Sequence, residues 1–186
     1  MKKIVTLEID GKEVKAEEGM TILKAAKQDG IEIPTLCYHK ELEPYGGCRI
    51  CSVEIEKKGK TQIVASCCYT VEDGLKVKTS SEKVNKIRRM MIELLLPTSP
   101  SGPILSLAQK YGVKKSRFHG ELTHCILCGL CVRYCKEVKK ESAVTFVGRG
   151  TLRKIMVLPE KTGICASCRG CYDLCPGGKI VDQAIV

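Results

Sequence analysis

Cys125-Ile126-Leu127-Cys128-Gly129-Leu130-Cys131-Val132-Arg133-Tyr134-Cys135 and Cys165-Ala166-Ser167-Cys168-Arg169-Gly170-Cys171-Tyr172-Asp173-Leu174-Cys175 share one spacing, C-x2-C-x2-C-x3-C. Runs of this kind hold paired 4Fe–4S clusters, the first three cysteines on one cluster and the fourth reaching across to the other. By that rule Cys125, Cys128, Cys131 and Cys175 bind one cubane, and Cys135, Cys165, Cys168 and Cys171 the other. The two runs must therefore fold as one unit. Each run is expected to set three thiolates on a tight loop, a shape that suits the corners of a cube better than one tetrahedral zinc ion. Pro176 follows Cys175 as the signature has it, whereas Lys136 stands where the first run would carry a proline. Ile126, Leu127, Leu130 and Ile164 are candidates for the apolar shell that limits solvent access.

A second constellation lies upstream: Cys37, Cys48, Cys51 and then Cys67 or Cys68. Its spacing resembles that of a 2Fe–2S site. Gly46-Gly47 before Cys48 are small enough to let backbone N–H groups approach cluster sulfurs, a contact that tunes reduction potential. Cys37 falls in a loop and Cys67 at a strand end, so the four can meet at one sheet edge. Structural zinc on the same thiolates is the competing reading. Whichever of Cys67 and Cys68 is not a ligand is expected to be a buried free thiol. His39, His119 and His124 read as loop or surface residues, His124 being placed to tune a cluster through Cys125.

Around these cysteines the hydropathy pattern gives a strand over residues 3–10, a turn at Gly11 and a returning strand over 12–16. A helix follows, with Thr21 as N-cap, an apolar face of Ile22, Leu23, Ala25 and Ala26, and Gly30 as its stop. Strands over 51–56, 62–65 and 75–79 complete a sheet wrapped on one helix, a β-grasp. Residues 82–96 repeat apolar side chains at helical spacing until Pro97. A Pro- and Ser-rich stretch over 98–103 and a short helix over 104–111 lead to the first late run. Between the runs, strands over 143–147 and 152–158 flank Gly148-Arg149-Gly150 as an inserted hairpin. The class is α+β, divided as a β-grasp domain over 1–79, a helical connector over 80–120 and a two-cluster domain over 121–186.

Composition narrows the function. Thirteen cysteines in 186 residues, with Met1-Lys2-Lys3-Ile4 leading straight into a strand, fit a reducing, cytoplasmic setting better than a secreted disulfide scaffold. No apolar stretch approaches a membrane span. The formal charge of +10 counts the cysteines as neutral; three clusters of roughly −2 each lower it to about +4. Lys57, Lys58, Lys60, Lys76 and Lys78 sit at solvent-facing positions with few aromatics among them, so nucleic-acid binding is not expected. No dinucleotide fingerprint, Walker loop or nucleophilic triad is present, and no flavin or nucleotide site is expected in this chain.

Pro34-Thr35-Leu36-Cys37, Gly47-Cys48-Arg49-Ile50-Cys51, Ala65-Ser66-Cys67, Arg88-Arg89-Met90 and Glu93-Leu94-Leu95-Leu96, followed by the two late runs, resemble the small diaphorase subunit of NAD-reducing hydrogenases. The same layout opens the large iron–sulfur subunit of respiratory complex I and the relay part of iron-only hydrogenases. The resemblance implies that Cys67, not Cys68, is the fourth 2Fe–2S ligand. It also implies an electron relay in a heteromeric complex, between a flavin-bearing NAD(H)-linked subunit and a terminal redox subunit of hydrogenase, formate dehydrogenase or aldehyde or acyl-CoA oxidoreductase type. A stand-alone polyferredoxin is the alternative. The family has a further cluster held by one His and three Cys after the Glu-Leu-Leu-Leu helix. Here Ser99, Gly102 and Leu105 occupy ligand positions, so that cluster is expected to be absent.

Overall fold

A computed structural model describes residues 3–177. They form two compact units, residues 3–36 with 44–92 and residues 37–43 with 93–177. The sequence-based division cut the chain elsewhere: the long helix through Ile92 groups with the sheet, and the short Cys37–Glu43 segment groups with the late cysteines.

In the first unit, β1 (Ile4–Ile9) and β2 (Lys12–Glu17) form an antiparallel hairpin around Asp10-Gly11, both of which have positive φ. Alternation points Val5, Leu7 and Ile9 of β1 inward with Val14 and Ala16 of β2. Helix α1 (Ile22–Gln28) starts where the Thr21 hydroxyl accepts from the Lys24 amide, and it buries Ile22, Leu23, Ala25 and Ala26. A second hairpin pairs β3 (Ser52–Lys57) with β4 (Lys60–Ala65). The short strand β5 (Lys76–Lys78) lies between the hairpins, parallel to β1 and antiparallel to β3, giving the order β2-β1-β5-β3-β4. Asp10 fixes this junction, its carboxylate accepting from the Thr79 amide at 2.7 Å and the Thr79 hydroxyl at 2.5 Å. The strand starts expected at 51, 62 and 75 shift to 52, 60 and 76, because pairing continues to the tight turn between Lys57 and Lys60 and begins only after Leu75. Helix α2 (Glu82–Leu95) buries Val84, Arg88 and Ile92.

The second unit contains α3 (Gly102–Lys110), α4 (Leu130–Glu137), a two-stranded hairpin of β6 (Val144–Val147) and β7 (Lys154–Val157), and α5 (Thr162–Cys168). The hairpin connection is longer than a simple turn: Gly150–Leu152 form a single 3-10 turn. Its inward side chains, Val144, Ile155 and Val157, join Ala143 and the cysteines Cys131, Cys135, Cys165 and Cys171 in one buried core. Among the described residues, no helix is long and apolar enough to cross a membrane.

Candidate metal centres

Four of the early cysteines, Cys48, Cys51, Cys67 and Cys68, lie in the first unit, and their loops are held from several sides. Cys51 and Cys67 are buried with their sulfurs 3.4 Å apart. Two thiolates on one tetrahedral metal with bonds of about 2.3 Å are separated by about 3.8 Å, so this pair is set for a shared ion with little movement. The Cys67 thiol is pushed well up, first by its hydrogen bond with Cys51 and then by burial. A buried thiol of this kind becomes a thiolate only when a cation supplies the missing charge. Arg49, between Cys48 and Cys51, adopts φ 58, a left-handed bend that a non-glycine residue adopts at some energetic cost.

The neighbours of Cys51 are fixed by side chains that the sequence pattern did not single out as site residues. Arg88 is 2% exposed; its Nε donates to the Ile50 carbonyl at 3.0 Å and its Nη2 to the Ser52 carbonyl at 2.8 Å. The buried Ser66 hydroxyl donates to the Cys51 carbonyl at 2.8 Å. Three consecutive carbonyls are thus pinned, and the orientation of Cys51 with them. The Cys67 loop is tied to α1 in turn: the Ile22 and Leu23 amides, which have no partner inside the helix, donate to the Tyr69 and Ser66 carbonyls. Cys68 corrects an expectation. It is exposed, not buried, lying in the turn that follows β4, where strand alternation no longer sets burial. Its sulfur lies 3.6 Å from that of Cys67, and a Cβ on Gly46 would sit 2.9 Å from it.

Cys37 is buried in the second unit. Arg133 of α4 holds its loop, Nη2 donating to the Cys37 carbonyl at 2.7 Å and Nη1 to the Glu43 carbonyl at 2.6 Å. The Glu43 amide donates to the Glu137 carboxylate at 2.9 Å. Helix α4 therefore carries Cys131 and Cys135 on one face and, two residues on and so on another face, Arg133 and Glu137, which clamp the segment from Cys37 to Glu43.

The late cysteines fall into two neighbour groups. Cys135, Cys165, Cys168 and Cys171 line a single cavity together with Tyr134, Tyr172, Lys139 and Arg169. Burial pushes the Cys171 thiol up to about 11, with Cys165, Cys135 and Cys168 adding to it. In the other group, burial pushes Cys128 up to about 12, with Cys175, Cys125 and Cys37 contributing, and raises Cys125 beside Cys175. Burial raises Cys131 as well, and Cys171 is the strongest of its charged neighbours, so the groups adjoin there. Among the described residues no three His, Cys, Asp or Glu side chains close around a single point as a lone ion requires.

The two runs differ in backbone. In the first, Cys125 and Cys128 lie on a loop with Leu127 at φ 52, and Cys131 and Cys135 lie on α4, where the Ala143 amide donates to the Cys135 sulfur at 3.1 Å. In the second, Cys165 and Cys168 lie on α5, which ends where Arg169 turns to φ 45. The tight loop expected for three thiolates thus carries only two of them in the first run, Cys131 lying on α4, and is replaced by a helix end in the second. Leu130 is buried and Leu127 packs on the core, whereas Ile164 is 43% exposed and so leaves one side of its site open. His119 is exposed and His39 partly so, beside Glu41.

Comparison with known proteins gives the family. A 2Fe-2S iron-sulfur cluster binding domain family matches residues 2–82. Over 97% of its length the chain is 34% identical to NADPH-Fe(3+) oxidoreductase subunit alpha of Geobacter sulfurreducens, of which it covers 24%. It is 35% identical to the NADH-ubiquinone oxidoreductase 75 kDa subunit of Reclinomonas americana, covering 30% of it, and 32% identical to NADP-reducing hydrogenase subunit HndD of Solidesulfovibrio fructosivorans, covering 37%. The chain thus spans only a quarter to somewhat over a third of these relatives. A chain of an NAD+-reducing [NiFe]-hydrogenase crystal structure superposes with a TM-score of 0.71 at 30% identity, over 82% of this chain and 74% of that one. This chain therefore belongs to the family of iron–sulfur subunits shared by NAD-reducing hydrogenases and NADH–quinone oxidoreductases.

Proposed function

We propose that this chain is the iron–sulfur relay of a heteromeric, cytoplasmic NAD(P)H-linked oxidoreductase, holding a 2Fe–2S cluster on Cys37, Cys48, Cys51 and Cys67. A 4Fe–4S cluster is held by Cys125, Cys128, Cys131 and Cys175, and a second by Cys135, Cys165, Cys168 and Cys171. The observation that supports this reading is the cavity lined by Cys135, Cys165, Cys168 and Cys171, a set drawn from both late runs. When bound, such clusters take up and release single electrons. The chain's own residues set where they sit and how strongly they hold an electron: burial raises the energy of added negative charge, and the Ala143 amide on Cys135 offsets part of it. Lys139 and Arg169 at the rim of the second site add positive charge there. Electrons pass between a flavin-bearing NAD(P)H-linked subunit and a terminal redox subunit, and the chemistry of two-electron substrates is left to those partners.

The test is analytical and biochemical. The protein purified anaerobically is expected to contain about ten irons per chain and no stoichiometric zinc, with reduced spectra requiring one 2Fe–2S and two 4Fe–4S centres. Isolation from its native cells is expected to bring down a flavoprotein. Recovery as a lone monomer that exchanges electrons with soluble enzymes would instead establish a free polyferredoxin.

A further inference from the structure

We propose that the turn from Thr98 to Gly102, which carries no cluster ligand, acts as a clasp that sets Cys175 against Cys125, with Ser101 and Gly177 as its positioning residues. The inference rests on the assignment of Cys125, Cys128, Cys131 and Cys175 to one 4Fe–4S site. The Thr98 carbonyl accepts from the Thr123 amide at 3.1 Å and the His124 amide at 2.8 Å, fixing the chain immediately before Cys125. Ser101 stands at the N-cap of α3, where a serine hydroxyl ordinarily accepts from the first turn of its own helix. It makes no such bond. Its hydroxyl instead donates to the Pro176 carbonyl at 2.5 Å, holding the chain immediately after Cys175.

Gly177 closes the arrangement. A Cβ there would stand 2.0 Å from the His124 carbonyl oxygen and 3.1 Å from the Ser99 hydroxyl oxygen. Backbone cannot yield that far, so only glycine lets the segment after Cys175 lie on the segment before Cys125. Pro176, Gly177 and Ser99 are all buried, Ser99 completely. Two stretches far apart in sequence, each supplying a ligand to the same site, are thus fastened to one turn. That gives the turn a use of its own: it supplies no cysteine or histidine, yet it sets the ligands of a neighbouring cluster.

The test uses the full chain, purified anaerobically, with Gly177→Ala, Ser101→Ala and Ser101→Thr. Gly177→Ala is expected to lose about four of about ten irons while the 2Fe–2S spin signal keeps its intensity. Ser101→Ala is expected to retain its iron but release the first 4Fe–4S cluster to a chelator roughly fivefold faster, the effect of one lost hydrogen bond. Ser101→Thr, which keeps the hydroxyl, is expected to behave as wild type. A Gly177→Ala protein with full iron and unchanged spectra overturns the clasp, as does one that loses every cluster together, because that marks a general folding role. Equal behaviour of Ser101→Ala and Ser101→Thr overturns the part given to the hydroxyl. Wild-type protein with no 4Fe–4S centre would show that the ligand assignment itself had failed, a result visible before any variant is made.

Discussion

Replacing Arg88 with methionine tests how firmly the Cys51 loop is built. Methionine fills the space of the aliphatic stem but removes donors to the Ile50 and Ser52 carbonyls, which Arg88 reaches at 3.0 and 2.8 Å from a position only 2% exposed. Hydrogen bonds from a charged donor contribute about 1.5–3 kcal/mol each, and both carbonyls are left buried without these donors. The loss is therefore about 3–6 kcal/mol, a large share of the total stability of about 5–15 kcal/mol typical of a domain. With a urea dependence of about 2 kcal/mol per molar, the unfolding midpoint should fall by about 2 M. The assay is urea unfolding of the anaerobically purified chain, followed by bleaching of the 2Fe–2S absorption. Arg88→Lys should not restore the midpoint, because one ammonium cannot span two carbonyls as a guanidinium fork does. A shift below about 0.5 M, or full rescue by lysine, would refute the reasoning.

The remaining predictions concern other sites. Cys67→Ala should abolish the 2Fe–2S spin signal while Cys68→Ala leaves it, since Cys67 is buried 3.4 Å from Cys51 and Cys68 is exposed; the reverse pattern would overturn the choice of fourth ligand. Ser99→Ala should leave stability unchanged or raise it by up to about 1 kcal/mol in thermal unfolding, because its buried hydroxyl has no hydrogen-bond partner. The Ser81 hydroxyl and the Lys83 ammonium hold the Glu54 carboxyl below its usual range. Stability from that group is present above the ordinary carboxylate value and is lost as pH falls through the depressed one. Wild type should therefore lose more of its urea midpoint than Glu54→Gln on acidification below about pH 4, and parallel curves would disprove the contribution.

Much of this architecture was legible because cysteine spacing and strand alternation are local signals. The C-x2-C-x2-C-x3-C runs, the β1–β2 hairpin and the Thr21 cap each follow from residues close in sequence. What was not legible depends on partners far away. Arg88 is one charged residue in a charged helix until it is seen on two carbonyls more than thirty residues earlier. Cys37 reads as part of the sheet domain, yet Arg133 fixes its carbonyl from a helix 96 positions away in the chain. The exposure of Cys68 turns on which way one residue of a turn faces, which alternation does not decide once the strand has ended. Identical spacing also hid the difference between the late runs, where Leu127 and Arg169 bend the backbone at different points relative to a helix.

The order β2-β1-β5-β3-β4 has a consequence for how the protein is made. Both hairpins close over turns of two residues and can form as soon as the ribosome releases them. In the sheet they are joined through β5, three residues long and last of the five strands to be synthesised. Until Thr79 reaches Asp10, the hairpin carrying Cys51 and Cys67 has no sheet to join, and any iron delivered to it arrives at an unfinished scaffold. Maturation of the first cluster is thereby placed after translation of the whole sheet, and truncation before residue 76 should leave a chain with two formed hairpins and no capacity to retain iron between them.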